Sequence, residues 1–166
     1  MIIELRELSL NDGIEIYEMI QEIGPGENGY QNSAYNLEFK EFQSFLIESR
    51  DESLGINLQP HYVPQTIYWL MIDAKPVGIG KLRLYLNDNL CKIGGHIGYT
   101  IRPSERGKGY GNIILEELLK KAKAKGIKEV LVTCNESNSL SRKIIELNNG
   151  ELKDIDQGEC RYWIRQ

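Results

Sequence analysis

Cysteine is scarce: Cys91, Cys134 and Cys160 are an odd number, widely spaced and without a C-x-x-C pair, which argues against a disulfide framework and against zinc-ligand spacing. They read as reduced thiols, and no metal is expected. Long apolar runs are missing too, since no stretch approaches the roughly 18 residues that a membrane-spanning helix needs. The amphipathic start Met1 to Leu10, with Glu4 and Glu7, lacks the basic flank and apolar core of a secretory signal. A cytoplasmic protein with no membrane partner is the expectation. Positive charge is in deficit, the formal net charge being -4, so no broad basic face offers itself to a phosphate backbone and nucleic acid is not an expected partner. Repeats, low-complexity tracts and linkers are absent, and residues 1–166 are read as a single domain.

What is present is a hydrophobic period that changes along the chain. Ile2 to Leu5 reads as a strand, and Ser9, Asn11 and Asp12 offer N-caps to a helix carrying Ile14, Ile16, Tyr17, Met19, Ile20 and Ile23. Gly24-Pro25-Gly26-Glu27-Asn28-Gly29 breaks that helix into a loop; Asn36 then stands where it can cap a second one with Leu37, Phe42, Phe45 and Leu46, before a long connection from Asp51 to Pro64. Two β-rich runs, Ile67 to Ile72 and Val77 to Leu86, flank the turn-like Asp73-Ala74-Lys75-Pro76. A third, Cys91 to Ile101, follows Asn87-Asp88-Asn89, which predicts an antiparallel meander. A helical stripe runs through Ile114, Leu115, Leu118, Leu119 and Ala122, acidic early and lysine-rich late as the helix dipole favours, and stops at Gly126. Val130 to Cys134 has the composition of a strand buried on both faces. Asn135 to Ser139 supplies caps for a last helix with Leu140, Ile144 and Leu147, and closing strands are expected near Glu151 to Ile155 and Cys160 to Ile164. The fold class is therefore α/β.

Between the strand ending at Ile101 and the long helix lies Arg106-Gly107-Lys108-Gly109-Tyr110-Gly111-Asn112. Glycine lets the backbone turn sharply and approach a ligand closely, and the first amides of a helix lack intrahelical acceptors, so the turn can hold an anion such as pyrophosphate. Arg106 and Lys108 add positive charge. The spacing does not fit the dinucleotide fingerprint G-x-G-x-x-G, and no P-loop is present. The bland alternative is a tight helix-starting turn that binds nothing.

Arg106-x-x-Gly109-x-Gly111 resembles the Arg/Gln-x-x-Gly-x-Gly/Ala signature of the GNAT acetyltransferase superfamily, in the expected place between the central strand and the following helix. The resemblance runs from about Val77 to Gly150. It implies a mixed, mostly antiparallel sheet of six to seven strands flanked by about four helices and splayed between its fourth and fifth strands, where acyl-CoA inserts. Tyr99-Thr100-Ile101 is similar to the bulged family strand whose amides meet pantetheine and the thioester carbonyl. Asn138 and Ser141 are similar to the Asn-x-x-Ala/Ser element after the next strand. The resemblance thus implies a cofactor held by Tyr99, Ile101, Arg106, Gly107, Lys108, Gly109, Tyr110, Gly111, Asn112 and Asn138, with acetyl-CoA as co-substrate.

Amide formation from a thioester needs a neutral amine, a polarised carbonyl and a proton for the departing thiolate. In many relatives a tyrosine seven residues after the asparagine protonates the sulfur; here that position is Ile145. Tyr110, Tyr99 and Ser141 are the side-chain alternatives, and solvent can protonate a thiolate that is already stable near neutral pH. His96 is the first candidate for the base because it titrates near neutrality in the strand beside the expected thioester, against the alternative of a strand histidine bonded to backbone. Cys134 reads as a buried structural thiol rather than an acyl carrier, and His61 as a surface residue. Tyr30, Tyr35 and Trp69 line an acceptor pocket or pack in the core, and Gly24 to Asn36 occupies the place of the family's acceptor loop. The expected activity is acetyl transfer to a primary amine of a small molecule or peptide; the alternatives are a silent CoA-binding sensor and an enzyme using a longer acyl donor or a hydroxyl acceptor. A homodimer is compatible with all of these.

Overall fold

In the computed structural model, which describes residues 1–166, the period-two runs become two antiparallel sheets. The first has the order β1 (Ile3–Glu7), β2 (Gln65–Ile72), β3 (Lys75–Arg83), β4 (Ile97–Ile101). In the second, β7 (Glu159–Arg165) lies between β5 (Glu129–Asn135) and β6 (Glu151–Asp156). The helices are α1 (Ile14–Ile23), α2 (Phe39–Ser53), the short α3 (Asp88–Lys92), α4 (Tyr110–Ala124) and α5 (Ser139–Leu147). This is the expected α/β architecture. β4 and β5 follow one another through α4 yet share no ladder, so the sheet is open between them.

Alternation along the strands sorts side chains into two cores. Ile67, Trp69 and Ile79 pack under α1 and α2 with Met19, Ile20, Phe42 and Leu46. On the opposite face Leu70, Leu82, Ile97 and Ile101 meet Ile114 and Leu118 of α4, together with Val130, Val132 and Cys134 of β5. Glycine sets the distance between sheet and helix. A Cβ at Gly80 would lie 2.8 Å from Leu118 Cδ1, and one at Gly78 would lie 3.4 Å from Ile114 Cδ1, both on α4.

Several local expectations change. Cys91 to His96 is not strand: the Asn87 side chain accepts from Leu90 N and starts α3, leaving β4 to begin at Ile97. The β3–β4 ladder pairs Gly78 with Ile101 and Leu82 with Ile97 without a shift, so the expected bulge in β4 is absent from this ladder; the irregularity lies between β2 and β3 at Leu70/Met71. α1 starts after Gly13 with no side-chain cap, because Asp12 is spent on Arg6, Ser9 and Trp69. Glu38 and Glu41, not Asn36, cap α2 through a reciprocal capping box. In α5 the buried residue is Ile145, while Leu140 and Leu147 are exposed.

Candidate active site

The opening between the sheets is closed at one end by hydrogen bonds from the segment before β4 to β5. His96 N donates to Leu131 O (2.8 Å), Leu131 N donates to His96 Nδ1 (2.9 Å), and Gly94 N donates to the Thr133 hydroxyl (2.8 Å). Glycine is required here: Gly95 has φ +59°, and a Cβ on it would stand 2.3 Å from Leu131 O. His96 is buried, and burial, then the charge of Arg83, lowers its pKa. Its Nδ1 lone pair is already bonded, so the neutral ring carries its proton on Nε2 and has none to accept with. The expected base is a clamp between the sheets.

Beyond the clamp, Tyr99 of β4 and Ser141 of α5 meet with hydroxyl oxygens 3.5 Å apart. Burial pushes Tyr99 up to about 12, despite the bond to Ser141. Cys134 of β5 also contacts the Ser141 hydroxyl and is pushed up to about 12 by burial, then by Cys160; a thiol so poor at ionising is a weak nucleophile. Asn138 caps α5, its Oδ1 accepting from Ser141 N at 3.2 Å. Ile145 is fully buried, and a Cβ on Gly150 would lie 2.4 Å from its Cγ2. That position belongs to the core.

The glycine turn opens α4 at the same mouth. Gly107 and Gly109 have φ +78° and +82°, and the space beside each is open. The amides from Gly107 to Gly111 donate to no backbone acceptor, whereas Arg106 N is bonded to Pro103 O and Asn112 N to Gly109 O. The free donors are therefore fewer than expected by those two. Gly111 has a packing role as well, since a Cβ there would approach Ile144 Cδ1 to 2.9 Å. The cations at the turn are paired: Arg106 Nε donates to Ile101 O and its Nη2 meets Glu27 (2.6 Å), while Lys108 binds the buried carboxylate of Glu105 (2.7 Å), which Lys75 also contacts. Tyr110, the first residue of α4, rests its ring on the core and forms no hydrogen bond with Tyr99 or Ser141, which bond each other. Tyr110 therefore stands with the turn, not with Tyr99 and Ser141.

The face of the gap away from α4 carries Tyr30 together with Lys81, Glu22 and Glu159, three residues that no sequence motif marks. Lys81 on β3 pairs with Gly98 of β4, and Tyr30 from the Gly24 to Asn36 loop lies over Lys81, its ring centre 4.5 Å from Nζ. Glu22 of α1 accepts from the Arg102 guanidinium and from Ser104 N. Burial alone would raise the Glu22 carboxyl, but these bonds outweigh it and hold it at about 2. On β7, Glu159 shares a face with Thr133; burial raises its carboxyl against the bond from the Thr133 hydroxyl. Trp69 is fully buried, donating to Asp12 (2.7 Å). His61 is exposed, as expected. No group of three or more His, Cys, Asp or Glu is placed to hold a metal ion, and no helix is long and apolar enough to cross a membrane.

An opened strand pair with an amide-lined turn at its mouth is the arrangement of an acyl-CoA transferase. A family model for the acetyltransferase (GNAT) domain matches residues 4–149, and the chain belongs to this family of acyltransferases. Solved structures with the same fold include RimL, a ribosomal L7/L12 alpha-N-protein acetyltransferase in complex with coenzyme A (TM-score 0.73, 15% identity, covering 98% of this chain and 93% of that one). Another is the Campylobacter jejuni N-acetyltransferase PseH with acetyl coenzyme A (TM-score 0.64, 14% identity, 99% of each chain). A third is the Salmonella typhimurium acetyl transferase that modifies the N-terminal serine of 50S subunit protein L7/L12 (TM-score 0.70, 14% identity, 99% and 95%). At these identities the likeness is one of fold. No curated protein matches the chain in sequence.

Proposed function

We propose that the protein moves an acetyl group from acetyl-CoA to a primary amine of a small molecule or peptide by direct attack. The observation that carries this reading is the run of amides from Gly107 to Gly111, free of intramolecular acceptors, beside an opened β4–β5 pair. A pyrophosphate satisfies those donors at the start of a helix, and the pantetheine arm then enters the gap past Asn138. A β4 amide at Tyr99 to Ile101 is the donor to the thioester oxygen, a contribution on the order of 3 kcal/mol to the transition state. The neutral amine attacks the carbonyl carbon from the Lys81 and Glu159 side, forming the C–N bond as the C–S bond breaks. The Tyr99 hydroxyl, beside Ser141, gives its proton to the departing thiolate, against a pKa that burial raises, and is reloaded through Ser141. Glu159, whose raised pKa suits a proton acceptor, takes the proton from nitrogen.

Calorimetry with acetyl-CoA, followed by thiol release over a panel of amines, tests the reading. Gly109→Ala puts a side chain at φ +82° and is expected to weaken CoA binding by about tenfold or more; unchanged affinity removes the cradle and the assignment built on it. A CoA-binding sensor is the rival reading, favoured by the loss of His96 as a base and by Ile145 in place of tyrosine. Tight CoA binding with no thiol release across the panel would select it.

A further inference from the structure

Two cations on one face of β3 lack the partners that buried charges ordinarily have. Lys81 and Arg83 are separated by one residue, and both are half-buried toward α1 and α2. Neither forms an ion pair. Their contacts are to neutral groups: Lys81 Nζ donates to Gln31 O (2.8 Å) beneath the Tyr30 ring, and Arg83 Nη1 donates to Gly94 O and Gly95 O, each at 3.1 Å. Those carbonyls fix the guanidinium and leave Nε and Nη2 free to donate. Glu52 is the carboxylate that acts on Lys81, too distant for an ion pair, and burial raises its pKa against the pull of Lys81. Burial, then the charge of Arg83, brings Lys81 down to about 8.

Taking two like charges partly out of water with no ion pair to either, Glu52 acting on Lys81 only from a distance, is costly, and the cost falls when an anion arrives. Position says what brings it. Lys81 lies directly across from Gly98, the Tyr30 ring lines the way between them, over Lys81 Nζ and 4.0 Å from where a Gly98 Cβ would stand, and neighbouring strands are about 4.8 Å apart. An anion held by Lys81 and Arg83 therefore sits about one or two strand spacings from the β4 edge, within the reach of a single small molecule. We propose that Lys81 and Arg83 form an oxyanion-binding pocket beside the gap, and that the acceptor amine carries a carboxylate or a phosphate a few bonds from its nitrogen. The identity of the occupant rests on the acetyltransferase reading; the pocket itself does not.

The test is calorimetry on protein saturated with CoA, using amino acids against their amides and glucosamine 6-phosphate against glucosamine. The expected result is that an anionic member binds at least about tenfold more tightly than its neutral counterpart, the amino-acid and sugar arms separating carboxylate from phosphate. Lys81→Met and Lys81→Gln abolish that preference, and Lys81→Arg keeps it; unfolding curves and CoA affinity check that each variant is folded. Equal binding of anionic and neutral ligands, no binding by any anionic member, or a preference that survives Lys81→Met and Lys81→Gln overturns the proposal. An anion preference without acetyl transfer to the bound amine leaves the pocket standing and removes the acetyltransferase reading instead.

Discussion

Asp12 has one carboxylate and three separate obligations. Its side chain is 1% exposed and pairs with Arg6 (2.7 Å), while the second oxygen accepts from Ser9 N and from the indole of Trp69. Asp12→Ala leaves the Trp69 N–H unbonded in the core, and a loss of about 3 kcal/mol in denaturant unfolding is expected; a change below about 1 kcal/mol would mean that water enters the site. Tyr99 makes the catalytic case at the same scale. Tyr99→Phe removes the hydroxyl with little change of shape, so kcat is expected to fall by about a hundredfold while CoA affinity holds. An unchanged kcat, measured with the chemical step rate-limiting, would hand protonation to solvent.

Strand glycines distinguish the two faces of the first sheet at the scale of elements. Gly80 lies under α4, where an added Cβ meets three carbons of Leu118 within 3.2 Å. Gly98 faces the loop, with Tyr30 Cδ2 at 4.0 Å as its only neighbour in range. Gly80→Ala is expected to cost about 1–3 kcal/mol through displaced Leu118 and α4, and Gly98→Ala less than about 0.5 kcal/mol. Equal costs in unfolding experiments would show that α4 is not seated on β3 as described. The same close seating ties the glycine turn to the sheet, because α4 begins at Tyr110 immediately after it.

Across the whole molecule, the two sheets meet at the closed end of the gap through His96 and its neighbours. The folded state holds His96 neutral, with a pKa below that of the unfolded chain, about 6.5. Below pH 6.5 the unfolded chain takes up a proton that the folded clamp refuses. Stability is thus full above that pH and declines as pH falls toward the lowered folded value. Melting temperature is expected to drop between about pH 7 and pH 5 in the parent protein and to stay nearly level in His96→Gln, apart from carboxylate effects lower down, where Glu22 titrates toward about 2. A parent curve flat over that interval would refute the clamp.

The sequence by itself determined most of the elements and the glycine turn before α4, because both rest on local physics. Apolar period, N-cap chemistry and glycine at positive φ act over a few residues, so α4, β5 and the turn at Gly107 to Gly111 were legible without a fold. Local signals misled where a long-range partner outbid them: Asp12 looked like a helix cap and became an anchor for Trp69, and Leu140 and Leu147 looked like a core stripe and were left exposed in favour of Ile145. Only the tertiary structure decided what His96, Lys81, Arg83 and Glu159 face. A side chain's lone pair or charge is free or engaged according to contacts from strands and loops far away in the chain, such as Leu131 for His96 and Gln31 for Lys81. The proposed acceptor side of the gap was hidden for that reason, since it draws on residues from the first loop, the central strands and β7.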